Sequence, residues 1–197
     1  HAILTPSFEL HGIIPAHFGE KKSTTSLEDS YEETMLLLRM MDLEDKFLVE
    51  KGATHAMPDE KTPVSSRGAQ LIIREALKDD TRPLHIAFYG PLTDMASALL
   101  LEPKIAERDI RVIWIGGGVW PSGGSEYNLS NDIHAANVVF KSSLEVWQIP
   151  RNAYRLMPVS YAEMVERVYP CGQLGRYLVE EVIAFNNLSL GRPSELR

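Results

Sequence analysis

Ile110-Arg-Val-Ile-Trp-Ile-Gly-Gly-Gly-Val-Trp-Pro-Ser-Gly-Gly-Ser-Glu-Tyr-Asn-Leu-Ser-Asn-Asp-Ile-His-Ala-Ala-Asn-Val-Val-Phe140 is the stretch on which the fold turns. Its first six residues are nearly all apolar and rich in β-branched side chains, the pattern of a parallel strand buried on both faces. Gly116, Gly117 and Gly118 then break the strand. A polar loop follows, with Gly123 and Gly124 and with Glu126, Asn128, Asn131 and Asp132, before a helical pattern resumes at Ile133. In an open α/β sheet, ligands bind outside the carboxyl ends of the strands, and this loop falls there. It is the candidate ligand loop, although a glycine-rich connector whose Asn131 or Asp132 only caps the helix of 133–141 fits the same residues. The triple glycine lacks the G-x-G-x-x-G spacing, and no P-loop lysine follows, so it is no phosphate fingerprint.

The same strand, turn and helix order repeats on either side. Upstream, Leu84 to Phe88 is a strand running into Tyr89-Gly-Pro-Leu-Thr-Asp94, where Gly90 permits a turn and Pro91 suits the start of a helix carrying Met95, Leu99 and Leu100. Downstream, Glu145 to Ile149 is a strand ended by Pro150. Helices are expected at about 27–42, after the cap cluster Thr24-Thr-Ser-Leu-Glu28, and at about 67–79, where Ser65 or Ser66 caps a stripe of Ala69, Ile72, Ile73 and Leu77. Tyr161–Val168 and Gly175–Phe185 read as further helices, Ala2–Leu4 as a helical piece and Glu9–Ile14 as a turn into a strand. Residues 45–63 and the tail from Asn186 to Arg197 read as loops, and His55 in the first as a solvated side chain rather than a ligand. Alternating strands and helices predict an α/β fold: an open, mostly parallel sheet with helices on both faces, in one domain over residues 1–197.

Composition narrows the function classes. A net charge of −7 and a pI of about 5.4, without a clustered basic face, argue against nucleic acid as a partner. A small neutral or cationic ligand fits better. The single cysteine, Cys171, excludes an internal disulfide and suits a reducing, cytoplasmic setting. No run of about 18 apolar residues suggests a membrane span, and the first residues lack a signal-peptide shape. Asn128-Leu-Ser130 and Asn187-Leu-Ser189 match the glycosylation sequon and are read as chance matches. Homo-oligomerisation is left open.

Three ordered motifs together resemble the nucleoside hydrolases, the inosine-uridine preferring N-ribohydrolase family. Tyr89-Gly-Pro-Leu-Thr-Asp-Met-Ala96 is similar to the family's G-[PG]-L-T-N-[LIM]-A turn, and Val112-Ile-Trp-Ile-Gly-Gly-Gly118 to its strand ending M-G-G. Glu126-Tyr-Asn128 with Asp132 and Ala135-Ala136 is similar to its E-F-N-x-x-x-D-x-x-A-A. The resemblance implies hydrolysis of the N-glycosidic bond of a ribonucleoside to ribose and free base, with one Ca²⁺ at the carboxyl edge of the sheet. The residue types suit that chemistry: an oxocarbenium-like state needs acceptors that fix the sugar hydroxyls and negative charge near the ring. A hard cation with oxygen ligands can hold the ribose diol and acidify a bound water.

Carried over by position, Glu126 and Asn128 would hydrogen-bond ribose hydroxyls, Ile115 would line the sugar pocket where the family has methionine, and the backbone carbonyl of Tyr89 would be a metal ligand. Asp132 is assigned to capping its helix. Departures from the family pattern are plain. Its D-x-D-x-x-x-D-D cluster would lie before His1, and its late aspartate and histidine after Arg197, so the stretch reads as the central part of a longer domain, inactive alone. Gly19-Glu20 stands where the family has Gly-Asn, and the shortened loop of Trp120 and Ser122 leaves another family asparagine without a counterpart. Trp120 is a candidate base-stacking residue, with packing as the alternative. Two other readings compete: a nucleoside- or sugar-binding member without chemistry, and an unrelated nucleotide-binding domain, disfavoured by the lack of a phosphate loop.

Overall fold

A computed structural model describes residues 2–190, with side chains as far as 187. Strands β1 (Leu84–Phe88), β2 (Ile110–Ile115) and β3 (Glu145–Ile149) lie side by side in that order, all parallel. The register sets Leu84 beside Ile110 and Phe88 beside Trp114, then Arg111 beside Glu145 and Ile115 beside Ile149. Each crossover passes through helix, as parallel pairing requires. The helices are α1 (Ser26–Met40), α2 (Arg67–Ala76), α3 (Thr93–Leu101), α4 (Tyr127–Asn131), α5 (Ile133–Lys141), α6 (Arg151–Tyr154), α7 (Tyr161–Arg167) and α8 (Gly172–Leu190), with short 3₁₀ turns at Ala2–Leu4 and Pro103–Glu107. The expected open parallel α/β architecture is what the chain adopts.

Helix α3 is the centre of the core. Every residue from Thr93 to Leu99 is buried. A helix buried on all sides must be covered on all sides: α2 and α5 flank it, and Ile110, Val112 and Trp114 of β2 join the same cluster with Ile105 and Val139. Trp114, 1% exposed, donates its indole N–H to the Gly90 carbonyl at 2.9 Å and meets the Phe140 ring edge-on. A buried indole needs such an acceptor.

Several sequence expectations change here. β2 is buried on one face only: Arg111, Ile113 and Ile115 are half-buried, and on the same side His85, Ala87, Glu145 and Trp147 are exposed, because α2, α3 and α5 gather on the other face. The expected strand near Glu9–Ile14 shrinks to one parallel bridge, Ile13 to Val49, so the polar stretch of 45–63 contains the partner of that bridge. The polar stretch after Asn186 is not loop at its start; α8 runs to Leu190, with the Asn186 amide donating to the Val182 carbonyl one turn back. The remainder of that expected loop lies outside the described residues. Within 116–131, α4 replaces expected loop, because Glu126 accepts from Leu129 N and caps it.

Asp94 is an acidic residue buried on the central helix α3. Its Oδ1 accepts from Ala53 N at 2.9 Å and from the Ser66 hydroxyl at 2.5 Å, which joins the stretch after the Val49 bridge to the start of α2 and to α3. Burial raises its pKa, against the lowering effect of Ser66 and of the Ala53 and Ala69 amides. A carboxyl whose folded pKa lies above its unfolded one contributes stability fully below the unfolded value, and loses it as pH rises through the folded value. Asp94→Asn, which cannot ionise, is therefore expected to melt above the parent at pH 7, with the gap closing as pH falls below about 4, where Asp94 is protonated in the folded and unfolded states alike. Thermal melts of the two proteins across that range are the measurement; an equal or lower Tm for the Asn variant at pH 7 would refute it.

Candidate functional site at the carboxyl edge of the sheet

The candidate residues come from the ends of adjacent parallel strands and the segment that follows. Phe88 pairs with Trp114 at the end of the β1–β2 register, and Tyr89 and Ile115 are the next residues along the two chains. Beyond Ile115 the chain turns at Gly116–Gly118. Gly117 has φ +88°, a conformation L side chains avoid, and a Cβ there would lie 2.1 Å from the Gln148 amide nitrogen. Val119 and Gly123 then exchange two backbone hydrogen bonds, at 2.9 and 2.6 Å, which closes the loop into a tight turn. Asn152 clamps the turn: its Oδ1 accepts from Trp120 N and its amide donates to Trp120 O.

Glu126 follows this turn and is 7% exposed. Its Oε2 accepts from Gly117 N at 2.9 Å and Leu129 N at 3.0 Å, and its Oε1 from the Tyr154 hydroxyl at 3.2 Å. Desolvation first, and the Glu126 charge second, raise the Tyr154 pKa, so that hydroxyl remains a donor. Asn128, half-buried, donates its Nδ2 to the Ile115 carbonyl at 2.7 Å. Its amide oxygen and second N–H have no protein partner among the described residues. The structure thus brings Ile115, Glu126 and Asn128 together with Tyr89 at the next strand end. Tyr89 itself is exposed, and its backbone lies at the same edge.

Asp132 is the N-cap of α5, as its place before Ile133 suggests, with Oδ1 accepting from Ala135 N at 2.8 Å. Its other oxygen does more. Oδ2 accepts from the Thr93 hydroxyl at 2.7 Å and from Met57 N at 2.9 Å, and His17 Nε2 lies 2.9 Å from that same hydroxyl. Next to this chain, the Tyr127 hydroxyl donates to Phe18 O at 3.0 Å, and Gly19, at φ +84°, leaves no room for a Cβ beside the Asn131 carboxamide.

Other residues fall away from the site. His55 is exposed and, among the described residues, hydrogen-bonds to Thr54, and Asp59 accepts from Lys61 N and Thr62 N within its own turn. Trp120, 69% exposed, lines a cleft with Trp114, Phe140 and Pro150 to which neither Glu126 nor Asn128 contributes. Among the described residues no three His, Cys, Asp or Glu side chains converge to hold a metal ion. Sequence reasoning missed His17 and Tyr154; Thr93 was within a quoted motif, but its bond to a residue 39 positions away carries no local signal.

Comparison with known proteins identifies the family and the fold. The family model described as "Inosine-uridine preferring nucleoside hydrolase" matches residues 3–189. An inosine-uridine preferring nucleoside hydrolase of Leishmania major is 34% identical over 96 residues, 47% of this chain and 31% of that protein. A pyrimidine-specific ribonucleoside hydrolase of Salmonella paratyphi A is 26% identical over 154 residues, 76% of this chain and 49% of that protein. The chain thus spans half or less of these curated relatives. Among solved structures, a purine-preferring ribonucleoside hydrolase from Gardnerella vaginalis superposes with a TM-score of 0.73 at 20% identity, over 89% of this chain and 63% of that one. A plant nucleoside hydrolase gives 0.69 at 17%, over 89% and 62%. These two likenesses speak to the fold.

The Glu126 carboxylate has a measurable structural role. Truncation leaves the buried Gly117 N–H and the first turn of α4 without their acceptor, so Glu126→Ala is expected to cost about 2 kcal/mol of stability. Tyr154→Phe removes only a half-exposed donor and is expected to cost under about 1 kcal/mol. Urea unfolding of both variants checks the order; an Ala variant as stable as the parent would show that the cap contributes nothing.

Proposed function

The chain belongs to the inosine-uridine preferring nucleoside hydrolase family, and from that membership we propose that it forms the sugar-holding part of an enzyme that cleaves the N-glycosidic bond of a ribonucleoside to ribose and free base. The observation that carries the proposal is the grouping of Glu126, Asn128, Ile115 and Tyr89 at the carboxyl edge, with part of the Asn128 carboxamide left for a ligand. Asn128 would bind a ribose hydroxyl through its amide oxygen and second N–H. Glu126 would accept a further hydroxyl and place negative charge near the sugar ring, where positive charge develops as the C–N bond lengthens. Ile115 would supply the apolar wall under the ribose.

Ca²⁺ belongs to the same reading, with the Tyr89 carbonyl as one oxygen ligand. The described residues by themselves do not fit such an ion, since no acidic cluster converges among them. The roles assigned here are therefore those of holding and orienting the sugar, and the 197 residues alone are expected to be inactive. The relatives' names divide between pyrimidine and purine substrates, so either base class is admitted. No described helix is long and apolar enough to cross a membrane; a small nucleoside as partner and a cytoplasmic location complete the proposal.

The test uses the full-length protein that carries this chain, with inosine and uridine as substrates and release of free base as the readout. Hydrolysis abolished by a calcium chelator and restored by Ca²⁺ is expected. Asn128→Ala should lower kcat/KM by about 100-fold, the scale of losing one preorganised hydrogen-bonding group. Ribose binding without hydrolysis of either nucleoside would instead identify a binding protein on the same fold.

A further inference from the structure

His17 lies deep in the protein, 2% exposed, outside every motif quoted above. Its Nε2 sits 2.9 Å from the Thr93 hydroxyl, which donates its only proton to Asp132 Oδ2 at 2.7 Å. A hydroxyl that donates to a carboxylate can only accept from its other neighbour. His17 must therefore carry its proton on Nε2, and Nδ1 is left as a bare lone pair. That Nδ1 is buried and has no partner among the described residues. Burial lowers the His17 pKa, as does the neighbouring His55, while Asp132 and Glu20 oppose the shift. The neutral Nε2–H imidazole is the form that this environment selects.

The relay joins three segments that are distant in the sequence. His17 belongs to the stretch after the Ile13 bridge, Thr93 opens α3 four residues after Tyr89, and Asp132 caps α5 four residues after Asn128. Tyr127, next to Asn128, is fastened to Phe18, next to His17. We propose that His17 is a positioning residue of the carboxyl-edge site: as the Nε2–H tautomer it donates to Thr93 and, through Thr93 and Asp132, sets the placement of Asn128 relative to the end of β1. The sugar-positioning consequence rests on the nucleoside-site reading; the hydrogen bond itself does not.

The experiment compares His17→Leu, which keeps the bulk and loses the donor, with His17→Gln, whose Nε2 can reach the Thr93 hydroxyl, both in the full-length protein. Long-range proton–nitrogen spectra of the parent, labelled at histidine, are expected to show His17 as the neutral Nε2–H tautomer at pH 6; an Nδ1–H tautomer or an imidazolium would overturn the relay. In His17→Leu the Asn128 side-chain amide signals are expected to move and kcat/KM to fall by about tenfold, and in His17→Gln both should return to within about twofold of the parent. Lowered thermal stability in the two variants, with Asn128 signals and kcat/KM unchanged, would make His17 a packing residue and sink the proposal. If the parent hydrolyses no nucleoside, it is the site reading that fails, and the tautomer and Asn128 signals still decide the positioning role.

Discussion

A carboxylate taken out of water must be given donors, and Asp132 receives them from three directions. At 3% exposure, it accepts from the first turn of its own helix, from the Thr93 hydroxyl at the head of α3, and from the Met57 amide 75 residues upstream. Burying that charge unpaired would cost far more than any one of these bonds returns. The chain therefore cannot separate α3, α5 and the 53–57 segment without stripping the carboxylate. Much of the carboxyl edge takes its shape from that requirement.

Asp94 repeats the device one helical position beyond Thr93, by joining Ala53 and Ser66 to α3. Asp132 and Asp94 thus flank one short segment, 53–57, and hold it against the same helix end. Above them the edge is closed by hydrogen bonds that need no charge pairing: Trp114 to the Gly90 carbonyl, Gln148 to the Gly116 carbonyl, and Asn128 to the Ile115 carbonyl. The last carbonyls of the strands have no further ladder partner, and side chains take over where the sheet ends. A strand-end loop secured in this way needs no regular secondary structure to hold a fixed shape.

The three strands and helix α5 were legible because each rests on local pattern. An apolar run stopped by glycine or proline, and an aspartate just before a helical repeat, state their structure within a few residues. Helix α4 was not legible, because glutamate is a less common N-cap than Ser, Thr, Asp or Asn, and five residues hold too little periodicity to register. The Ile13 to Val49 bridge is a single pairing across 36 positions of sequence, with nothing in its surroundings to announce it. For the candidate site, Glu126, Asn128 and Ile115 were found through motifs, and their meeting at one edge follows from strand order. His17 was invisible: in Pro15-Ala-His-Phe-Gly19 it reads as a polar residue in a turn, and only Thr93 and Asp132 across the fold make it a buried donor.

Glu126 shows how fastening and ligand binding can share one side chain. Its carboxylate offers about four lone-pair positions, and Gly117 N, Leu129 N and the Tyr154 hydroxyl take three, leaving room for one more donor. The bonds already made fix the rotamer, so a hydroxyl arriving at the fourth position would meet an acceptor already in place, without the entropy of ordering a long side chain. The same holds for Asn128, anchored through one N–H to Ile115 O with the rest of the carboxamide facing outward from that bond. On the proposed reading, a group that must favour a short-lived charged sugar gains from this arrangement, because electrostatic stabilisation is greatest where the dipoles need not reorganise. The hydrogen bonds that at first make Glu126 look purely structural are then the condition for its acting on a substrate.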